Sequence, residues 1–150
     1  SDVIDAKRGL NLRVNVDEQT EMGRHVMEET IEWWGRQDPE VMEDALGDKD
    51  RVSLDQFTND LNRFLVGTDN LWCQGPVFDI VILENLYRQM GWPLPWQFWQ
   101  IRDSRTLFGV HGDPREKNKA GLHNALEDCV SQAKGVQQIY TQLGIKPRFS

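Results

Sequence analysis

No stretch of this 150-residue chain stays apolar long enough to span a membrane, and Ser1-Asp2-Val3-Ile4-Asp5 lacks the basic-then-apolar pattern of a signal peptide. Cysteine is scarce. Cys73 and Cys129 share no metal-type spacing with each other or with a histidine, so they read as reduced thiols of a cytoplasmic protein. Internal repeats and low-complexity tracts are absent as well. Basic residues are outnumbered, 17 Lys and Arg against 24 Asp and Glu, for a net charge of −7. That balance excludes an extended footprint along a nucleic-acid duplex, which exploits counterion release from a basic face. It does not exclude an enzyme that grips only a strand end through bound divalent ions, because those ions invert the local charge.

What is present suits one soluble domain: 39% hydrophobic and 27% charged residues, in a length able to bury a core. Leu10 to Val16 alternates apolar and polar residues and predicts a half-buried strand. Met27, Ile31 and Trp34 recur at helical spacing within a helix from Val26 to Arg36. Asp38-Pro39 reads as an N-cap followed by proline at the first helical position, opening a helix to about Leu46, and Ser53 with Gln56 opens the next. That helix carries the stripe Leu54, Phe57, Leu61, Phe64 and Leu65. Asn70 to Gln74 predicts a buried strand and Val77 to Met90 a helix, ended by the loop Gly91-Trp92-Pro93-Leu94-Pro95-Trp96. Phe98 to Asp103 predicts another strand, Arg105 to Phe108 a short helix, and His111 to Lys119 a polar loop. A last helix spans His123 to Leu143, with Leu126, Val130, Ala133, Val136, Tyr140 and Leu143 inward. Helices interleaved with short strands give an α/β class, with few strands for so many helices.

Three residues stand out chemically. Asp79 falls in the first turn of its helix, directly after a predicted strand, and His123 precedes Asp128 by five residues at the start of the last helix. Carboxylates hold hard cations, and an imidazole can take a proton from an attacking water. The bland readings stand beside this one. An acid in a first turn complements the helix dipole, and a histidine at a helix start can be a cap. On one ideal helix His123 and Asp128 sit about 140° apart. Joint action therefore needs His123 in the preceding loop, leaning over an inward Asp128. Trp34 lies on the Met27–Ile31 stripe, which leaves Trp33 for stacking on a base. Asp103 and Arg105 read as a tie between strand and helix or as substrate contacts, and Arg115, Lys117 and Lys119 make the most basic loop.

Three ordered blocks carry a resemblance: Trp72-Cys73-Gln74-Gly75-Pro76-Val77-Phe78-Asp79-Ile80-Val81-Ile82-Leu83, then Phe98 to Leu107, then His123-Asn124-Ala125-Leu126-Glu127-Asp128. Together with Thr30-Ile31-Glu32-Trp33-Trp34, the chain from Leu10 to Leu143 resembles the DnaQ-like 3′–5′ exonucleases of the DEDDh type. It is most similar to their phage-type exodeoxyribonuclease and exodeoxyribonuclease VIII-like branch. The resemblance implies a ribonuclease H-like fold, with a mixed central sheet flanked by helices. It implies two Mg²⁺ or Mn²⁺ ions, Asp79 and Asp128 as metal ligands, His123 as general base, and Trp33 and Asn124 as substrate contacts. The implied substrate is the 3′ end of single-stranded DNA or RNA, cut to nucleoside 5′-monophosphates. The family's first motif, Asp-x-Glu on the central strand, has no counterpart. Val3-Ile4-Asp5-Ala6-Lys7 offers Asp5 but puts Lys7 where Glu is needed. The expectation is therefore an N-terminally incomplete domain, completed by an N-terminal segment or a second copy. The rival expectation is a catalytically degenerate module that binds nucleic acid or a protein partner without hydrolysis.

Overall fold

The computed structural model describes residues 4, 6–115 and 124–146. After a 3₁₀ turn at Ala6–Arg8, strand β1 (Arg13–Val14) leads to helices α1 (Val16–Glu21), α2 (Glu28–Gly35) and α3 (Pro39–Leu46), then β2 (Arg51–Val52). Helix α4 (Leu54–Phe64) follows, then β3 (Leu71–Cys73), α5 (Pro76–Met90), a 3₁₀ turn at Phe98–Gln100, β4 (Ile101–Asp103), α6 (Ser104–His111) and α7 (Ala125–Gln142). The α/β class holds. A single mixed sheet was expected, whereas the described residues form two separate two-stranded sheets, both parallel. Arg13 pairs with Arg51 in one, and Leu71, Trp72 and Cys73 pair with Ile101, Arg102 and Asp103 in the other. Among the described residues no strand joins the two ladders.

The helix starts follow from side-chain chemistry. Asp38 accepts from the Glu40 amide with Pro39 next in line, and Ser53 accepts from the Gln56 amide, as the sequence dictates. Asn15 changes the expected strand Leu10–Val16. Its side chain accepts from the Glu18 amide and opens α1, leaving only two residues extended. Gly91, at φ +70°, ends α5 with a left-handed turn in which the Trp92 amide reaches back to the Tyr87 carbonyl.

Burial concentrates in the C-terminal half. Phe108, Val136 and Ile139 pack together with Trp72, Leu107 and Tyr140 against them, joining α6, α7 and β3. A second cluster centres on Tyr87, which is fully buried between the Trp92 and Trp96 rings while its hydroxyl donates to Asn62 Oδ1 at 2.8 Å. Two expected core residues are instead half exposed: Phe64 at the end of α4 and Leu143 just past α7. Helices α2 and α3 bury no residue fully. The first two turns of α5 turn Val77, Phe78, Val81 and Ile82 to solvent.

Candidate active site

In the second ladder both strands run in one direction, so Cys73 and Asp103 end side by side and α5 and α6 start at the same edge. The carboxyl edge of parallel strands is where α/β proteins gather ligand-binding groups, because helix starts and loops converge there. Asp103 builds this edge. Its Oδ1 accepts from the Gly75 amide (3.1 Å) and the Arg105 amide (3.1 Å), and its Oδ2 accepts from the Thr106 amide (3.3 Å) and hydroxyl (2.6 Å). One carboxylate thus caps α6 and pins Gly75, the residue that opens α5 at φ +106°. Those bonds, the Thr106 hydroxyl foremost, hold the Asp103 carboxyl below its ordinary range. Of its two sequence readings, the tie between strand and helix is the one its hydrogen bonds serve.

Asp79 stands one turn further along α5, its amide bonded to the Gly75 carbonyl at 3.2 Å. The surrounding protein strips water from its carboxyl and raises the pKa, and the nearby charge of Arg105 works against that rise. Asp128 lies in the first turn of α7, on the row that continues through Gln132, Gly135 and Ile139 at intervals of four, three and four residues, but is itself exposed where an inward side chain was expected, because the row is covered only further along the helix. Gln132 helps to aim this side. Its Oε1 accepts from the buried hydroxyl of Ser104 (3.4 Å), which also donates to the Cys73 carbonyl (3.2 Å) and so ties α7 to the end of β3.

The charges of both aspartates are felt by one thiol. Burial raises the pKa of Cys129, and the charges of Asp128 and then Asp79 raise it further. Cys73 is pushed up to about 11 by burial first, then by Asp79 and Asp103. Neither thiol is poised as a nucleophile. An apolar cavity of about 430 Å³ beside α7 is lined by Leu10, Phe64, Leu126, Cys129 and Val130, with no acid among its described lining residues.

The remaining expected residues are placed as follows. His123 lies outside the described residues, as do Asp5, Lys117 and Lys119. Asn124 is the N-cap of α7. Its Oδ1 accepts from the Leu126 and Glu127 amides, and its Nδ2 donates to Asp44 at 3.5 Å. Trp33 is 41% exposed on α2 and meets Trp34 edge to face at 4.9 Å, with Trp34 the more covered of the two. Three further groups meet at this edge, of which Gln74 had no role in the sequence reading. Gln74 follows β3 directly. Arg115 donates to Gln74 Oε1 at 2.9 Å and grips Asp113 through Nε and Nη2, and Arg105 donates to the Gln74 carbonyl at 3.4 Å. Their contacts span tens of residues, a separation that no local pattern records.

A pair of carboxylates can serve one Mg²⁺, which keeps several waters and takes the rest of its ligands from substrate phosphates. They are too few for a pair of ions, and among the described residues no group of three or more His, Cys, Asp or Glu is placed to hold a metal. No helix among the described residues is long and apolar enough to cross a membrane.

A family model described as the 3'-5' exoribonuclease Rv2179c-like domain matches residues 9–140. No curated protein and no solved structure matches the chain.

Proposed function

Because the chain belongs to the Rv2179c-like 3'-5' exoribonuclease domain family, we propose that it serves a metal-dependent 3′–5′ exonuclease acting on single-stranded ends. RNA is the first substrate to test and DNA the second, with nucleoside 5′-monophosphates as products. The observation that carries this reading is that the Asp103 carboxylate holds the start of α5, the helix of Asp79, and the Ser104 hydroxyl ties α7, the helix of Asp128, to the same carboxyl edge of the β3–β4 ladder. Both are the metal ligands of the proposal, for Mg²⁺ or Mn²⁺. Bound cations would offset charge on the phosphate. His123 takes the proton of the attacking water, Trp33 stacks on a base, and Asn124 touches the substrate with the amide hydrogens its cap leaves over. A cytoplasmic setting fits the two free thiols.

The proposal includes a ribonuclease H-like sheet completed by an acidic strand, which supplies the ligands for a second ion. That strand comes from a complementing N-terminal segment or from a second copy of the chain. One observation supports it: the described strands form two isolated two-stranded parallel sheets, which are rare because parallel sheets are normally covered on both faces. The degenerate binding module remains the second reading, favoured by the short ligand set among the described residues.

Degradation of 3′-labelled and 5′-labelled single strands, with Mg²⁺, Mn²⁺ or EDTA, separates the two. The exonuclease releases the 3′ label first as a mononucleotide, and only with metal. Binding without release, by the longest form of the protein, supports the degenerate module instead.

A further inference from the structure

We propose that Arg105 is a phosphate-binding residue of this site, taking a phosphodiester of the substrate strand beside Asp79. The inference rests on the exonuclease reading and adds to it a specific contact. A chain with net charge −7 repels a polyanion, so a strand end reaching the two aspartates needs a local cation. Two guanidinium groups hang from Gln74 at this edge, and they are not equivalent. Arg115 is consumed: Nε and Nη2 grip Asp113 at 2.8 and 2.6 Å, Nη1 reaches Gln74 Oε1, and the plane lies 4.5 Å over the Phe108 ring. It works as a strut that fixes Gln74.

Arg105 is differently placed. It is exposed in the first turn of α6, and among the described residues it forms no ion pair within salt-bridge distance. Its one side-chain hydrogen bond is the long 3.4 Å contact to the Gln74 carbonyl. That contact lays the guanidinium alongside Gly75, 3.6 Å from where a β-carbon would stand, at the start of the helix that carries Asp79. The Asp103 cap fixes the Arg105 backbone through its amide, so the group is anchored at its root and open at its tip. A planar fork with free donors, held next to a metal-binding carboxylate, matches a phosphodiester in shape and charge. At the Asp79 carboxyl, burial raises the pKa and the charge of Arg105 opposes that rise, so the two groups sense one another.

The test is binding of a fluorescent single-stranded RNA to the full protein in EDTA across a salt series, with steady-state cleavage in Mg²⁺ alongside. Arg105→Ala should weaken binding about tenfold near 0.1 M salt and reduce the slope of log Kd against log salt by about 0.7, one phosphate contact on a single strand. Arg105→Lys should keep the slope and lose affinity a few-fold, because the charge survives and the fork does not. Arg102→Ala should change neither, since that guanidinium faces the Trp99 and Ile101 carbonyls. If Arg105→Ala does not fold by circular dichroism, the comparison of Arg105→Lys and Arg105→Gln with the wild type carries the same slope test. An unchanged slope on loss of the Arg105 charge, in a protein that still trims 3′ ends, overturns the arginine assignment alone. A wild-type protein that neither binds nor trims RNA overturns the exonuclease reading and the arginine with it.

Discussion

Replacing Asp103 by alanine removes four hydrogen bonds at once, and the structure gives the size of the effect. Loss of the α6 cap costs about 1 kcal/mol. The bonds from the Gly75 amide and the Thr106 hydroxyl add about 0.5–1.5 kcal/mol each. The total, about 2–4 kcal/mol, is a large share of the roughly 5–15 kcal/mol that holds a domain folded. Urea unfolding should show the midpoint falling with an unchanged slope. Asp103→Asn should lose about half as much. Its one oxygen can serve Gly75 and Arg105, while its amino group opposes the Thr106 amide.

The same residue makes a pH prediction. The Asp103 carboxyl is held below its ordinary value of 3.8. Its stabilisation is therefore present above the unfolded-state value and lost as pH falls through the lower folded-state one. The gap between wild type and Asp103→Ala should be constant near neutrality and close below about pH 4. Thr106→Val should cost about 1 kcal/mol in the wild type and almost nothing in the alanine background, because the 2.6 Å bond has then already gone. Additive losses, or an alanine variant within about 0.5 kcal/mol of wild type, would refute the pinning role.

Tyr87→Phe should destabilise the fold by about 1 kcal/mol, since it strips Asn62 Oδ1 of its 2.8 Å donor while leaving the packing between Trp92 and Trp96 in place. No change in the urea midpoint would show that water replaces the phenol without cost. Cys73, with its thiol pushed up to about 11, should be about one part in a thousand thiolate at pH 8 and react correspondingly slowly with a disulfide reagent, the rate climbing with pH. A burst of Cys73 labelling at pH 8 would contradict the burial and negative surroundings assigned to it.

The caps were legible because they are local. Asp38-Pro39, Ser53 with Gln56, and Gly91 each act within three or four residues, and each sits where the pattern put it. The strands were less so. Leu10 to Val16 has the right alternation, yet Asn15 spends its side chain on a helix start. Phe98 to Gln100 turns as 3₁₀ because the Gln97 and Gln100 side chains close a capping box. Apolar stripes misplaced Phe64 and Leu143, since a stripe records which side chains avoid water and not whether anything covers them. Asp79 and Asp128 were readable as residues. The contacts that tie their two helices to one strand edge were not, because they run through Gly75, Ser104 and Gln132 across long separations. Arg105 was read as a tie or a contact, and only the difference between its open fork and the consumed fork of Arg115 gives it a distinct role.

The central claim is that Asp79 and Asp128 form one catalytic unit. A double-mutant cycle tests it most directly, measuring release of a 3′-terminal nucleotide from single-stranded RNA by the full protein, by Asp79→Asn, by Asp128→Asn and by the pair. The account predicts that each single variant loses on the order of a thousandfold in rate and that the pair loses no more than either, as residues of one machinery do. Losses that multiply, or a single variant near the wild-type rate, would contradict it.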